Sequence, residues 1–411
     1  MRSIVFYIII LASTAIHAQT NNNIVIGNID SVYSNILKEK RKIWVHVPDD
    51  SSPDGIFAKQ RFPVVYVLDG DGNFQSITAM VQQLGGGSGN TAFPQMIVVG
   101  IPNTDRTRDL TPTHDAASPV PDSMSAAHSG GGENFISFIQ KELIPHIDSV
   151  YPAAPYRILI GHSLGGLIVM HTLINHTNLF NSYVAIDPSM WWDNQKLLQQ
   201  SKTALDKNKF EGRTLFLAVA NTMAKGMDTV QVKTDTNRMS LHIRSILQLG
   251  HYLNADNKND LTFNWKYYPD YDHGSVPLVA GYDALRFIFT FYNFNIPFAE
   301  FFTPSYKSDT IISAHYRYVS RQMGYKVSPP EQLINGLGYQ LMGLKQFERA
   351  FHFFEMNTGN YPESFNAYDS MGDYYNARGD KQKALEYYSK AMTLRDFPGT
   401  SKKIGKLGQG K

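Results

Sequence analysis

Cysteine is missing: none of the 411 residues is one. That absence excludes disulfides, thiolate zinc sites and a cysteine nucleophile together. A charge imbalance is missing too. The chain has 38 Lys and Arg against 36 Asp and Glu, a net charge of +2. A nucleic-acid binder carries a basic patch or stripe, so no nucleic-acid partner is expected. Charged residues make up 18% of the chain and hydrophobic ones 43%. That is ordinary globular composition, with length enough for one large domain or two. Where a long apolar run does occur, at Ile4 to Ala15, it follows Arg2 and precedes Ala18 and Gln19. Residues 1–18 therefore read as a secretory signal peptide, too short for a stable membrane span. A secreted or periplasmic location follows, with no membrane span after cleavage and no disulfide staples.

What is present is most informative between Tyr156 and Met170, YRILIGHSLGGLIVM. Arg157 to Ile160 is an aliphatic run typical of a strand covered on both faces. After the break, Leu167, Ile168, Met170, His171 and Ile174 recur at helical spacing. The pattern G-x-S-x-G between a strand and a helix is the nucleophile elbow. It lifts the Ser163 hydroxyl from the sheet edge and aims the N–H of Leu164 at a reacting oxygen.

Other strand-like runs lie within 24–48 (IVIG and RKIWVHVP) and at Val64–Leu68, Met96–Gly100, Tyr183–Ile186, Thr214–Ala220 and Thr262–Tyr268. Helical patterns cover Phe135–Val150 and regions near 195–205 and 234–250, and a long Pro, Gly and Ser-rich excursion fills 101–134. Strands alternating with helices predict an α/β protein with a mostly parallel sheet. The expected hydrolase domain covers 19–300, followed by helices over 301–400 and a flexible tail at 401–411. In the helical part, segments beginning at Leu337 and Met371 repeat with a period of 34 residues: Gly338 matches Gly372, Ala350 matches Ala384 and Phe354 matches Tyr388. Small residues at fixed positions of a helix–turn–helix unit of this period look like tetratricopeptide repeats. Two units are few, so the stretch 309–324 is expected to cap them, or the units to dock on the first domain.

A serine nucleophile needs a base, and His273 lies on a loop after the last core strand, where the base of this hydrolase order belongs. The acid is expected after the strand 214–220, where Asp228 is the first choice; Asp187, Asp270 and Asp272 are alternatives, and a Ser–His dyad is another. The second oxyanion donor is expected in Asp69-Gly70-Asp71-Gly72, with the Asp71 N–H favoured beside that of Leu164. The same D-G-D-G-N stretch fails the calcium-loop template, having Phe74 at position six and Met80 at position twelve, so no metal is expected. Arg106 and Arg108 could meet an anionic substrate, the competing reading being an ion pair with Asp109. Trp191 and Trp192 could line an acyl pocket or pack as a lid.

The stretches VVYVLDGDGNF, MIVVGIPNTDRTRDLTPT, GGENFISFIQKELIPHID, ILIGHSLGGL, IDPSMWWD and YDHGSVP resemble, over residues 25 to about 295, the putative esterase family of α/β-hydrolases. That family includes ferric-siderophore (enterobactin-type) esterases, feruloyl and acetyl xylan esterases, S-formylglutathione hydrolases and mycolyltransferases. The resemblance implies an α/β-hydrolase fold, Ser163 as nucleophile, His273 as base, and an oxyanion hole at Asp71 and Leu164, with no cofactor. Most described members lack a helical tail. The expected activity is ester hydrolysis on a small molecule, of siderophore or plant-cell-wall type, with acyl transfer as a variant. A competing class is a non-catalytic scaffold whose repeats bind a protein or a second copy.

Overall fold

Alternating strands and helices assemble around one eight-stranded sheet in the computed structural model. It describes residues 23–48, 55–85, 92–115, 127–255, 257–294, 303–305 and 307–409. The expected signal peptide, 1–18, lies outside them. The strands are β1 (Asn28–Ser34), β2 (Glu39–His46), β3 (Phe62–Leu68), β4 (Ile97–Ile101), β5 (Ala153–His162), β6 (Ser182–Ile186), β7 (Thr214–Ala220) and β8 (Thr262–Tyr268). Their spatial order is β1-β2-β4-β3-β5-β6-β7-β8. β2 is antiparallel to β1 and β4, and every other pairing is parallel. This is the mostly parallel sheet the sequence pattern predicts, in the α/β-hydrolase arrangement the resemblance implies. Every residue of β3 is buried, as a parallel strand covered on both faces requires.

Two apolar layers result. One packs α3 (Gly132–Phe138), α4 (Ile144–Val150), α5 (Leu164–Asn175), α6 (Trp192–Lys207) and α7 (Leu241–Ala255) on the sheet. The other packs α1 (Gly70–Leu84) and α8 (Val276–Ile288), while the short α2 (Arg106–Leu110) lies in the loop after β4. The single helix expected over 135–150 is α3 and α4 joined by a π turn, Ile139–Leu143. Pro145 explains it: a proline lacks the N–H and its ring crowds the preceding turn.

The C-terminal part is helical: α9 (Ser308–Met323), α10 (Glu331–Gly343), α11 (Phe347–Asn360), α12 (Phe365–Ala377), α13 (Lys381–Leu394) and α14 (Pro398–Gln409). The matched positions do the same job in each unit. Gly338 lets α10 meet the Phe354 ring of α11, and Gly372 lets α12 meet the Tyr388 ring of α13. A Cβ at Gly372 would lie 2.5 Å from that ring. Gly372→Ala should therefore destabilise the chain by about 1–3 kcal/mol through overpacking, read as a lower denaturation midpoint at unchanged slope.

One boundary differs from expectation. The tail expected to be flexible from 401 is helical to Gln409, because Lys403 Nζ reaches the Asp369 and Asp373 carboxylates at 2.5 and 2.7 Å. Capping and docking, expected as alternatives, both occur: Ile312 of α9 joins the core of the helical units, and its Val319 and Met323 complete the layer that holds α1 and α8. Further docking runs through buried Glu331, which accepts from the Ala58 N–H (2.7 Å) and the Ser364 hydroxyl (2.6 Å). Arg395 donates to the Gly55 carbonyl at 2.7 Å. Residues 55–58 precede β3, so these contacts fall toward the N-terminal ends of the parallel strands. The carboxyl ends remain uncovered by them, and there an open α/β sheet places its site. No helix among the described residues is long and apolar enough to cross a membrane.

Candidate active site

β5 delivers Ser163 to that carboxyl edge. Its φ of 59° and ψ of −116° leave the usual regions for a residue with a side chain. The strained turn is held from three sides. The Ser163 N–H donates to the Ile186 carbonyl, and the Ser163 carbonyl accepts from the N–H groups of Leu167 and Ser189. A Cβ at Gly161 would sit 2.3 Å from the Gly165 carbonyl oxygen, and one at Gly166 would meet the Pro188 backbone at 2.9 Å. Gly161 of the motif and Gly166 just after it are thus needed for the crossing of strand and helix.

The Ser163 hydroxyl lies 3.1 Å from His273 Nε2 and 3.2 Å from the Ser189 hydroxyl. The His273 loop is shaped by Asp272, whose Oδ1 accepts from the N–H groups of Gly274 and Ser275 and from the Ser275 hydroxyl. His273 Nδ1 donates at 2.5 Å to Asp187 Oδ2. The expected acid, Asp228, is not brought to the imidazole. Its exposed carboxylate caps its own turn, accepting from the N–H groups of Val230 and Gln231 at 2.8 and 2.7 Å. Asp228→Asn should leave kcat within about twofold of wild type, since a solvated side chain away from the imidazole contributes little; a steady-state assay checks this.

Asp187 follows β6, with a left-handed φ of 41° and a fully buried side chain. Its Oδ1 accepts from the Ala220 N–H at 2.9 Å. Its Oδ2 takes a second imidazole, His242 Nε2, at 2.8 Å. Burial alone would raise this carboxyl's pKa, but the hydrogen bonds from His242, His273 and the Ala220 N–H outweigh it and hold the group well below the usual carboxylate range. The His162 ring lies against that of His273, centroids 4.4 Å apart and planes tilted by 42°, and its Nε2 is buried without a hydrogen-bond partner. Burial and the neighbouring His273 push the His162 pKa down to about 4, so it is neutral at pH 7.

The Leu164 N–H opens α5 and the Asp71 N–H lies in the first turn of α1, where a helix leaves its N–H groups free of internal acceptors. The two helix starts are neighbours: a Cβ at Gly165 would lie 3.3 Å from the Asp69 carboxylate. Arg106 does not stand free for a substrate. It grips Asp69 bidentately at 2.6 and 2.9 Å, with Asn103 adding a third donor at 2.7 Å, and so braces the turn that carries Asp71. Arg108 is likewise engaged, with Glu39 at 2.8 Å and Asp109 at 2.7 Å, and its hydrogen bonds help to lower the Glu39 pKa to about 2. Trp192 is buried and donates to the Thr113 carbonyl at 3.0 Å, which makes it packing, while Trp191 beside it is half-buried.

Another titratable cluster joins Glu133 to His171 Nε2 at 2.5 Å and to His176 Nε2 at 3.0 Å. The Asn175 amide, also bonded to the His171 carbonyl, donates to His171 Nδ1 at 3.0 Å. The neutral ring therefore carries its proton on Nε2, facing Glu133. A metal there would need the opposite tautomer, so the cluster reads as a carboxylate between two N–H donors.

Residues 34–235 match the model of the family described as Putative esterase. The ferri-bacillibactin esterase BesA of Bacillus subtilis is 28% identical over 211 residues, 49% of this chain and 72% of that protein. The siderophore enterobactin esterase of Emericella nidulans is 31% identical over 150 residues, 34% of this chain and half of that protein. Among solved structures, an IroE-like serine hydrolase from Shewanella oneidensis is 29% identical, with a TM-score of 0.67, over 81% of this chain and 99% of its own.

Proposed function

We propose, for a chain that carries over residues 34–235 a domain of the family described as Putative esterase, that Ser163, His273 and Asp187 act as a hydrolytic triad on a siderophore-type ester. The observation that carries this reading is the continuous hydrogen-bond path from Asp187 through His273 to Ser163, at 2.5 and 3.1 Å, on a strained elbow. Named relatives that are siderophore esterases support the substrate class.

In this mechanism His273 Nε2 takes the Ser163 proton as Oγ attacks the ester carbonyl. The oxyanion meets the N–H groups of Leu164 and Asp71, donors of a kind that contribute about 2.7–4 kcal/mol each to transition-state stabilisation. His273 then returns the proton to the leaving alkoxide, and water repeats the cycle on the acyl-enzyme. Asp187 keeps the imidazole in the tautomer that presents a lone pair to Ser163. The apolar leader at 1–18 supports export of the chain before it meets such an ester.

The test compares a catecholate trilactone, a feruloyl sugar ester and a short-chain acetyl ester, with Ser163→Ala as the blank. Preference for the trilactone, absent in the variant, supports the reading. Cleavage of only the feruloyl or acetyl ester would move the substrate class to cell-wall carbohydrate. No cleavage and no labelling of Ser163 by a fluorophosphonate would favour a scaffold.

A further inference from the structure

The second imidazole on Asp187 is not needed to build a triad. We infer that His242 is a positioning residue for ester hydrolysis: its Nε2–H fixes the carboxylate that orients His273 and shares that carboxylate's charge. The inference rests on the triad reading above.

His242 sits in the first turn of α7, which begins after the long loop from β7. Its Nε2 and His273 Nδ1 approach the same oxygen, Oδ2 of Asp187, at 2.8 and 2.5 Å. The two rings stand edge to face, at 90° with centroids 5.0 Å apart. Asp187 is pinned at Oδ1 by the Ala220 N–H. Without His242 the carboxylate would have the Ala220 N–H on one oxygen and a single imidazole on the other, leaving it freer to rock about its last bond. With His242, Oδ2 carries a second donor beside His273, so the carboxylate is held by three N–H groups instead of two. A carboxylate shared between two N–H donors also pulls less strongly on either proton. His242 therefore restrains how far Asp187 favours the protonated form of His273. The charged or titratable groups around the pair are Asp187 from the end of β6, His273 and its neighbour Asp272 from the loop after β8, and His162 from β5 beyond His273, with the Asp69–Arg106 pair beside His162. Arg244, farther along α7, is turned to Ser240 and the Asn237 carbonyl.

Two variants separate this role from simple packing. His242→Phe keeps a ring edge-on to His273 but has no N–H, and His242→Gln keeps an amide N–H. The expected result is a kcat reduced about 10- to 100-fold in His242→Phe, the range for losing a hydrogen bond to a charged group. The acid limb of its kcat/KM profile should move to higher pH, because Asp187 then acts on His273 alone. His242→Gln should recover most of kcat and return the limb toward wild type. Wild-type kcat with an unmoved limb in His242→Phe overturns the inference. So does an equal loss in both variants with an unmoved limb, which would mark His242 as structural. The triad reading itself fails through a different result, full hydrolysis by Ser163→Ala.

Discussion

Ser163→Ala should lower ester turnover by on the order of 10⁶-fold while the fold and melting temperature are preserved. The hydroxyl is the only group removed, and its partners are His273 Nε2 and Ser189 Oγ in part-buried contacts. What remains is the pair of oxyanion donors and substrate binding, which keep a residual ~10³–10⁴-fold advantage over water. The backbone of the elbow does not depend on the hydroxyl, since its three hydrogen bonds are main-chain. Ser163→Gly should be equally inactive yet more stable, by roughly 1–3 kcal/mol, because glycine tolerates φ near 59° without the strain a side chain adds. Hydrolysis assays beside thermal melts of both variants check this. Turnover by Ser163→Ala at the wild-type rate would refute the nucleophile assignment.

Asp187→Asn is the second large effect. The Asn Oδ1 can still accept from the Ala220 N–H, so the end of β6 keeps its anchor. The amide nitrogen now faces His273 Nδ1 and His242 Nε2, both of which presented N–H to it. His273 must switch tautomer and point N–H rather than a lone pair at Ser163. A kcat loss of about 10²–10⁴-fold is expected at neutral pH. The acid limb should move to lower pH, because the negative charge that favours imidazolium is gone. That direction is opposite to the one expected for His242→Phe, so the two profiles together read the same carboxylate from both sides. An Asp187→Asn enzyme within threefold of wild type would leave Ser163 and His273 as a dyad.

The elbow could be read from the chain because it is local: an aliphatic run, three glycines and a helical stripe are adjacent in sequence. His273 was legible for a related reason, as the histidine that follows the last core strand. The acid was not. β6 and β7 end at the same sheet edge, and which of them brings a carboxylate to His273 depends on a left-handed turn at Asp187 that no residue type announces. Asp228 has the expected order, but its loop closes on itself. His242 carries no spacing signal among 13 histidines. The helical stretch read near 234–250 places residue 242 mid-helix, whereas the helix starts at Leu241, and that start brings His242 to the sheet edge. The ion-pair alternative for Arg106 named the neighbouring Asp109, because its actual partner, Asp69, lies 37 residues away in a turn read for oxyanion donors and calcium ligands. The repeat was legible because a period survives without knowledge of the contacts, and Gly372 against Tyr388 shows what the period protects.

The docking of α9 bears on how the molecule comes apart. Val319 and Met323 seal an apolar layer that also contains Val65, Phe74, Ile158 and Phe289. A chain ended near residue 300 would leave that seam open to water, so it should aggregate rather than yield a soluble hydrolase. For the intact chain the same seam makes the catalytic sheet and the helical units melt together. Scanning calorimetry should record one cooperative transition, its calorimetric and van't Hoff enthalpies equal, where two loosely tethered modules would give two.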